Sequence, residues 1–413
     1  MIKTYYYKYN DKLLFSLFKI SSLDPISREE IVDAKETVYF LKAMDPFSSR
    51  RGFLVTSSSQ IVSDTEGLDL LQKNEEDFDL PSWIEQKISN GTIKCINISF
   101  PTWKDELNHF PDHWRINVIA LGDVGSTLLI GLRLLGSNMT IGIYDRNPDK
   151  MKRWEHELNQ IRRPFDEASF PKVVPMDENG LFDCDMLVFC ASKGIPPVGS
   201  EHVDVRMVQL EGNREILRKY ARIAREKHFK GIFAVVSDPV DLLCRGLYLD
   251  SNLDESGNLD YMGLAPNQII GYGLGVMNAR ATFHAERNPE LMQYLKEGQV
   301  FGPHGKGLIV ADSMINYNEE QSLLLTVKTL DSNLEIRKFG FKPYVAPSLS
   351  SGALSLIATI RNEYFYGSSM VGEVFMGSKI RLTKQGIEVP SYDLDSMLKK
   401  RLEETYNELR SII

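Results

Sequence analysis

One histidine of this chain lies in a setting that suggests chemistry. His304 stands in the stretch "GPHG", between Gly302 and Gly305 and ahead of the hydrophobic run "LIVA". An imidazole titrates near neutral pH, so a histidine can pass a proton to or from a reacting oxygen. Most loop histidines have no such role. His304 is therefore a candidate general acid or base only if other residues supply a cofactor and a substrate anchor.

A glycine turn supplies the candidate cofactor site. In "ALGDVGSTL", Ala120, Gly122 and Gly125 have the spacing of a dinucleotide-binding turn, with alanine at the first glycine position. Asp145 follows Gly125 by 20 residues, at the end of the next apolar run, where a carboxylate can bind an adenosine ribose. A carboxylate there repels a 2′-phosphate, so we expect NAD rather than NADP, although Arg146 is adjacent. The alternative is a strand–helix turn that binds no nucleotide.

Alternating apolar strands and helices must position these residues. After Arg115 the chain reads as strand, turn and helix in "INVIALGDVGSTLLIGLRLLG", with further strands in "MTIGIYDRN", "CDMLVFCAS" and "GIFAVVSDPVD". A long amphipathic helix, "MVQLEGNREILRKYARIAREKHF", precedes the last of these strands. Almost continuously apolar strands that alternate with helices predict a parallel sheet covered on both faces. The sequence therefore predicts a doubly wound α/β fold.

Residues 1–112 form a region of different texture. Two strands are predicted around Asn10-Asp11, and a helix over "SREEIVDAKETVYFLKAM", where Ser27 and Glu30 fit a capping box. Further strands are predicted in "GFLVTSSS" and "TIKCINISF", with an acidic and helical segment between them. The region carries no catalytic constellation, and we expect an α+β extension that serves packing or oligomerisation.

Composition excludes several classes of function. The net charge is −8 and the pI is about 5.6, which disfavours a broad nucleic-acid surface. No apolar stretch approaches the roughly 20 residues that span a bilayer. The first 20 residues lack the apolar core and cleavage site of a signal peptide. The four cysteines lack metal-ligand spacing. We therefore expect a cytoplasmic protein without a metal site.

The order of four further motifs resembles that of the L-lactate/malate dehydrogenase superfamily. The motifs are "VRMVQLEGN", "VVSDPVDLL", "IIGYGLGVMNAR" and "GPHGKG", and "FMGSKIRLTKQGIEVPSYDLD" is similar to the family's hairpin before its last helix. The resemblance covers about residues 115–413. It implies an NAD-binding Rossmann domain over 113–262 and an α+β substrate domain over 263–413, behind the extension. It also implies a homo-oligomer, a dimer or a tetramer.

The resemblance implies roles for individual residues. His304 matches the family's acid/base, Arg280 the arginine that grips the substrate carboxylate, and Arg206 the mobile-loop arginine that polarises the reacting carbonyl. A planar guanidinium suits carboxylate binding because it donates two parallel hydrogen bonds. Ser350, in "PSLSSGALSL", matches a hydroxyl residue of the substrate pocket. The predicted nucleotide contacts are Gly122, Asp123, Val124, Gly125, Asp145 and Ala191.

Two departures from the family concern the histidine's partner. Three residues before Arg280 the family has an aspartate that orients the histidine, and here the residue is Met277, followed by Asn278. The family has asparagine before the proline of the strand-end motif, where this chain has Asp238. We hypothesise that Asp238 replaces the missing carboxylate. Alternatively, Asp238 binds a substrate ammonium in an amino or imino acid dehydrogenase, or the site has decayed into an NAD sensor without turnover.

The loop before Arg206 leaves the substrate's side chain open. "KGIPPVGSEHVDV" is about four residues longer than the family's usual loop, which carries the residue that selects among 2-oxo acids. Lys193, Ser200 and His202 are all candidates to face the substrate. The expected reaction is thus hydride transfer between NAD and a small 2-hydroxy or 2-oxo carboxylic acid of unspecified side chain.

Overall fold

A computed structural model of the chain describes residues 2–74, 76, 78–107, 111–165, 170–193 and 205–412, and for residues 205–208 it describes the backbone alone. Within these ranges, fifteen strands form one continuous sheet. Their order is β3-β1-β2-β4-β6-β5-β17-β16-β15-β12-β11-β10-β7-β8-β9, numbered along the chain with the bounds given below.

The N-terminal elements form one end of this sheet. They are β1 Tyr5–Tyr9, β2 Lys12–Ser16, β3 Asp24–Pro25, α1 Arg28–Val32, β4 Val38–Lys42, β5 Gly52–Leu54, α2 Ser59–Val62, a 3₁₀ turn Leu68–Leu71, α3 Ser82–Ser89, β6 Ile93–Asn97 and a 3₁₀ turn Trp103–Leu107. The β1–β2 hairpin turns at Asn10-Asp11, as predicted, with Asn10 at a φ of 54°. The capping box is also present, because the Ser27 N–H donates to Glu30.

The helix predicted over residues 27–44 is much shorter than expected. It ends at Val32, and Val38–Lys42 is a fully buried strand paired in parallel with β2 and β6. The prediction was wrong there because Val38, Tyr39 and Phe40 are β-branched or aromatic. Such a continuous apolar run suits a strand buried on both faces, and periodicity alone does not separate it from a helix.

The central elements alternate as predicted. They are β7 Trp114–Ile119, α4 Asp123–Leu135, β8 Met139–Tyr144, α5 Pro148–Asn159, β9 Val173–Pro175, β10 Met186–Phe189, α6 Val205–Glu226, β11 Ile232–Val235, α7 Val240–Ser251, a 3₁₀ turn Pro266–Gln268 and β12 Ile269–Gly271. The strands run parallel in the order β9-β8-β7-β10-β11-β12, which is the doubly wound order. The predicted α/β fold class is confirmed. The sequence interpretation missed β9, which has only three residues and ends in proline.

Alternate residues of the central strands enter two cores. Val118 and Val188 pack with Leu128 of α4, whereas Leu187 and Phe189 pack with the helices on the opposite face. Burial on both faces explains why these strands read as continuous apolar runs. The carboxyl ends of the strands meet at one edge of the sheet, where such folds bind ligands.

The C-terminal elements connect the central strands of the sheet to the N-terminal strands. They are α8 Leu274–Ala285, a 3₁₀ turn Pro289–Leu291, α9 Tyr294–Glu297, β13 Gln299–Phe301, β14 Ile309–Ala311, α10 Glu319–Lys338, a π-helical stretch Pro347–Ala353, α11 Leu354–Ile360, β15 Phe365–Val371, β16 Val374–Thr383, β17 Gly386–Glu388 and α12 Ser396–Arg410. The predicted hairpin before the last helix is β16–β17.

Two strand pairings join the three parts of the chain. β15 lies antiparallel to β12, with Ser368 opposite Gly271, and β17 lies parallel to β5, with Ile387 opposite Phe53. The division at residues 112 and 262 remains a prediction, and the sheet is continuous across both positions.

Candidate active site

His304 lies in the loop between β13 and β14, over the start of α8. Gly302 and Gly305 have φ values of 85° and 147°, a region that glycine adopts without steric cost. A Cβ on Gly273, just before α8, would lie 2.9 Å from the His304 Cβ. The glycines on both sides of this contact therefore allow the loop to bring the imidazole close to the strand ends.

Asp238 holds the His304 ring. It follows β11, and its Oδ1 lies 2.8 Å from the His304 Nδ1. The histidine side chain is 12% exposed and the aspartate side chain 50%. With Nδ1 donating to a carboxylate, Nε2 is the nitrogen left to exchange a proton. The two residues that the sequence analysis linked by hypothesis are thus adjacent in the fold.

Asn213 of α6 fixes the main chain at Asp238. Its Nδ2 donates to the Asp238 carbonyl oxygen at 2.7 Å, and its Oδ1 accepts from the Lys193 N–H at 2.9 Å. Sequence analysis quoted Asn213 at the end of a motif but gave it no role. The sequence signal that could have identified Asn213 is a polar residue on the apolar side of an amphipathic helix. In the structure Asn213 is buried.

Arg280 is buried on α8. Its Nη1 contacts the Met277 sulfur at 3.6 Å, and its Nη2 donates to the side-chain oxygen of Asn333 on α10. Burial lowers the pKa of Arg280 from its ordinary value, and the Asp238 carboxylate opposes that shift. Among the described residues, no carboxylate forms an ion pair with this guanidinium. A buried cation with only uncharged partners is suited to bind an anion.

Met277, at the family's aspartate position, and the next residue, Asn278, contact groups other than His304. Met277 is buried against Arg280, and Asn278 accepts a hydrogen bond from the Tyr294 hydroxyl at 2.7 Å. Neither residue has a contact with His304 among the described hydrogen bonds. The carboxylate beside the imidazole is therefore that of Asp238.

The glycine turn has the shape that its spacing predicts. Gly122 is the N-cap of α4, and the space where its Cβ would stand holds no atom of the described chain within 4 Å. A Cβ on Gly125 would lie 2.0 Å from the Ala120 carbonyl oxygen, so only glycine allows this packing. Ala120 itself adopts a φ of 71°. Asp123 and Val124 form the first turn of the helix.

Asp145 ties this turn to β8. Its Oδ2 accepts from the Leu121 N–H at 2.8 Å, and its Oδ1 accepts from the Asn147 N–H at 3.0 Å. Burial alone would raise the pKa of Asp145, but these N–H groups and the nearby Lys150 lower it below its ordinary value. Ala191 lies two residues beyond β10, and its carbonyl accepts from the Ser237 hydroxyl at 2.7 Å. The predicted nucleotide residues thus gather at the strand ends.

Ser350 lies beside α8 in the π-helical stretch. A Cβ on Gly275 would be 2.6 Å from the Ser350 carbonyl oxygen, which also accepts from the Ser355 hydroxyl at 2.8 Å. The main chain of Ser350 thus packs against the helix that carries Arg280. Its assignment to the substrate pocket remains a prediction.

The loop that leads to α6 lies mostly outside the described residues. Ser200 and His202 lie outside the described residues, and only the backbone of Arg206 is described, in the first turn of α6. Lys193, just before the gap, forms an ion pair with Glu215.

Two further properties concern the described residues alone. No helix among them is long and apolar enough to cross a membrane. In the same part of the chain, no three or more His, Cys, Asp or Glu side chains group in a way that could hold a metal ion. The four cysteines are unpaired.

Comparisons with known proteins find curated relatives named L-lactate dehydrogenase. No family model matches the chain. It is 28% identical over 203 residues to the L-lactate dehydrogenase of Mesomycoplasma hyopneumoniae, a match that covers 49% of this chain and 58% of that enzyme. The chain thus spans less than two thirds of the length of this curated relative.

Two solved structures share the fold. A lactate dehydrogenase from a Medee basin deep-sea metagenome library has a TM-score of 0.57 at 19% identity, covering 72% of this chain and 97% of that one. The malate dehydrogenase of Archaeoglobus fulgidus, solved in complex with NADH, has a TM-score of 0.56 at 18% identity, with the same coverage.

Proposed function

We propose that this chain, a divergent member of the L-lactate/malate dehydrogenase superfamily, is an NAD-dependent oxidoreductase. Its expected substrate is a small 2-hydroxy or 2-oxo carboxylic acid. The observation that carries the proposal is the His304 imidazole, held at 2.8 Å by Asp238, whose carboxylate also acts electrostatically on the buried guanidinium of Arg280. This arrangement offers a proton carrier and a carboxylate anchor at one edge of the sheet.

The residues at the glycine turn fit a dinucleotide. The open space at Gly122 and the first N–H groups of α4, which have no side-chain cap, suit a pyrophosphate, because a helix N-terminus favours negative charge. Asp145 and Ala191 lie at the neighbouring strand ends, where the ribose and nicotinamide portions would be held. Bound NAD would supply the hydride acceptor for a hydroxy acid or, once reduced, the donor for an oxo acid.

His304 moves the proton in this proposal. When a ketone is reduced, its oxygen becomes an alkoxide that needs a proton, and an imidazolium Nε2 can donate it. In the reverse direction the neutral imidazole accepts the hydroxyl proton. Asp238 holds the ring through Nδ1 and stabilises the imidazolium, so it supplies what the family's missing aspartate supplies elsewhere.

Two arginines complete the proposed site. Arg280 would bind the substrate carboxylate through two charge-assisted hydrogen bonds, exchanging its present contacts with Met277 and Asn333. Arg206 keeps the role that the resemblance implies, which is to polarise the carbonyl as the loop closes and water is excluded.

One observation favours a second candidate, an amino or imino acid dehydrogenase. Half of the Asp238 side chain is exposed, although its Oδ1 is used by His304. Its other oxygen could accept a hydrogen bond from a substrate ammonium. Neutral asparagine, which the family has at this position, would bind an ammonium less tightly.

We also propose a homo-oligomer, a dimer or a tetramer, in the cytoplasm. Large apolar side chains are exposed along α10 and just after it, among them Leu334, Phe339 and Phe341. Exposed apolar patches of this kind commonly mark protein interfaces. Light scattering of the purified chain tests the oligomeric state.

Calorimetric titration with NAD and NADH, followed by a turnover screen, tests the function. The NADH-saturated protein is mixed with a panel of 2-oxo acids, with and without ammonium, and absorbance at the reduced-nicotinamide band is followed. Oxidation by a 2-oxo acid alone supports the proposal, and a requirement for ammonium supports the second candidate. Tight NAD binding without turnover favours a sensor, and absence of nucleotide binding contradicts the assignment of Gly122, Gly125 and Asp145.

A further inference from the structure

A second carboxylate of the same short stretch holds His304 from another side. Asp241 lies in the first turn of α7, three residues after Asp238, and is 4% exposed. Its Oδ2 accepts from the His304 backbone N–H at 3.3 Å. The stretch Asp-Pro-Val-Asp thus touches the histidine twice, at the ring through Asp238 and at the main chain through Asp241.

The carboxylate of Asp241 is buried and has few hydrogen-bond partners. On β15, the Ser368 hydroxyl lies near it, yet neither Asp241 Oδ1 nor Ser368 Oγ has a hydrogen-bond partner of normal geometry among the described residues. Burial raises the pKa of Asp241 to about 6, while Ser368 and the His304 N–H act to lower it. Desolvation of this kind is costly, and such groups are concentrated at functional sites.

Few other titratable groups face Asp241. His304 approaches from the β13–β14 loop, and Cys244 lies one turn along α7. Burial raises the pKa of Cys244 well above its ordinary value, so this thiol stays neutral. β12 contributes Gly271, whose Cβ position would contact Ser368 and Cys244. The described contact of Asp241 with His304 is therefore the one to the backbone N–H.

We propose that Asp241 is a positioning residue for His304, which anchors the main chain of the histidine loop through the His304 backbone N–H. This inference rests on the proposed function for its catalytic meaning, but its physical content is independent of any substrate. Nothing in the sequence pattern of the histidine loop indicated a partner 63 residues earlier in the chain.

Asp241→Asn and Asp241→Ala separate the hydrogen bond to His304 from the charge. Asparagine keeps an oxygen for the His304 N–H but removes the charge, whereas alanine removes both. Since burial disfavours ionised Asp241, we expect D241N to be at least as stable as the wild type at pH 7 in thermal unfolding. Asp250→Asn is the matched control, because Asp250 is a buried carboxylate at the far end of α7 that pairs with Arg214.

The first measurement is histidine-selective NMR on the full chain, observed at the backbone amide and ring resonances of His304. We expect D241A to move the His304 amide resonance, because its N–H loses the acceptor, and D241N to move it less, because the side-chain oxygen still accepts. D250N should leave the His304 resonances in place. Unchanged His304 resonances in D241A would overturn the proposal, whether or not the protein turns over any oxo acid.

The second measurement is turnover with the oxo acid found in the screen. D241A should lose roughly ten- to a hundredfold in kcat with little change in KM, because the histidine is misplaced, and D241N, which keeps the acceptor oxygen, should recover most of this loss. Wild-type kcat in D241A would contradict the proposal. If the wild type itself fails to oxidise NADH with any oxo acid, the proposed function fails while the NMR measurement still decides the role of Asp241.

Discussion

Two buried charges of this protein, Glu106 near the N-terminal strands and Arg280 on α8, differ in how they are satisfied. Glu106 is 6% exposed and accepts from Arg51 at 2.9 Å, Lys94 at 2.7 Å and Asn267 at 2.8 Å. Arg280 is 9% exposed, and its described partners are a thioether and an amide oxygen.

Under the proposed function, the difference separates a structural charge from a substrate-binding one. Although burial alone would raise it, Lys94 and Arg51 hold the pKa of Glu106 well below its usual range. Its charge is therefore fully compensated inside the fold. In the proposed function a substrate carboxylate compensates the charge of Arg280, since its uncharged partners repay little of the cost of burying a cation.

The largest expected effect is on the histidine's carboxylate partner. Asp238→Asn should lower turnover by about 10³- to 10⁴-fold, since an amide neither stabilises imidazolium nor enforces the correct tautomer. Steady-state kinetics with the best oxo acid measures it, and an unchanged thermal midpoint shows that the fold is intact. Near-wild-type turnover would mean that His304 needs no carboxylate at this position.

The compensated charge should matter for stability and not for chemistry. Glu106→Gln leaves two buried cations without their counter-charge and should cost about 3–5 kcal/mol in urea unfolding. Because its folded pKa is depressed, the stability from Glu106 is complete above the usual carboxyl pKa and is lost as pH falls through the folded value. The difference between wild type and variant should therefore shrink in acid.

The control for that variant is a surface change on the catalytic side. Glu286→Gln follows α8 and should leave stability within about half a kcal/mol, as exposed substitutions do. A loss of turnover in E106Q under conditions where it is fully folded would contradict the separation of the two regions.

The uncompensated charge should show the opposite pattern. Arg280→Gln should raise the KM for the oxo acid by about 10²- to 10⁴-fold, because two charge-assisted hydrogen bonds of roughly 1.5–3 kcal/mol each are lost. Stability should be unchanged or slightly increased, since a buried cation is removed. R280K keeps the charge but lacks the planar guanidinium, and its KM should lie between those of the wild type and R280Q. A less stable R280Q with wild-type KM would make Arg280 a structural residue.

A smaller contrast concerns the two glycines of the turn. Gly122→Ala should fold like the wild type, because no described atom lies within 4 Å of its Cβ position, but should weaken NAD binding by about tenfold where the pyrophosphate approaches. Gly125→Ala should instead destabilise the protein, since its Cβ would meet the Ala120 carbonyl oxygen at 2.0 Å. Calorimetry with NAD and thermal unfolding measure both variants, and unchanged NAD affinity in G122A would place the pyrophosphate elsewhere.

Much of the fold followed from local patterns. The strand–turn–helix around Gly122 and Gly125, the alternating elements after Arg115 and the final hairpin were predicted because each is encoded by neighbouring residues. The long helix over 27–44 was wrong and β9 was missed, because a buried apolar run and a three-residue strand carry little periodic signal.

The candidate site shows the same division between what local sequence encodes and what tertiary contacts decide. His304 between its glycines and Asp145 after its strand are properties of the sequence itself, because local turn and strand chemistry sets them. Only the tertiary structure decided that Asp238 meets the His304 ring across 66 residues, that Asp241 holds its main chain and that Arg280 has no carboxylate partner among the described residues. The physical reason is that the parallel strands β11 and β12 bring Asp238 and the start of α8 to one edge of the sheet, and the antiparallel β13–β14 loop packs His304 against that edge, whatever the separation along the chain.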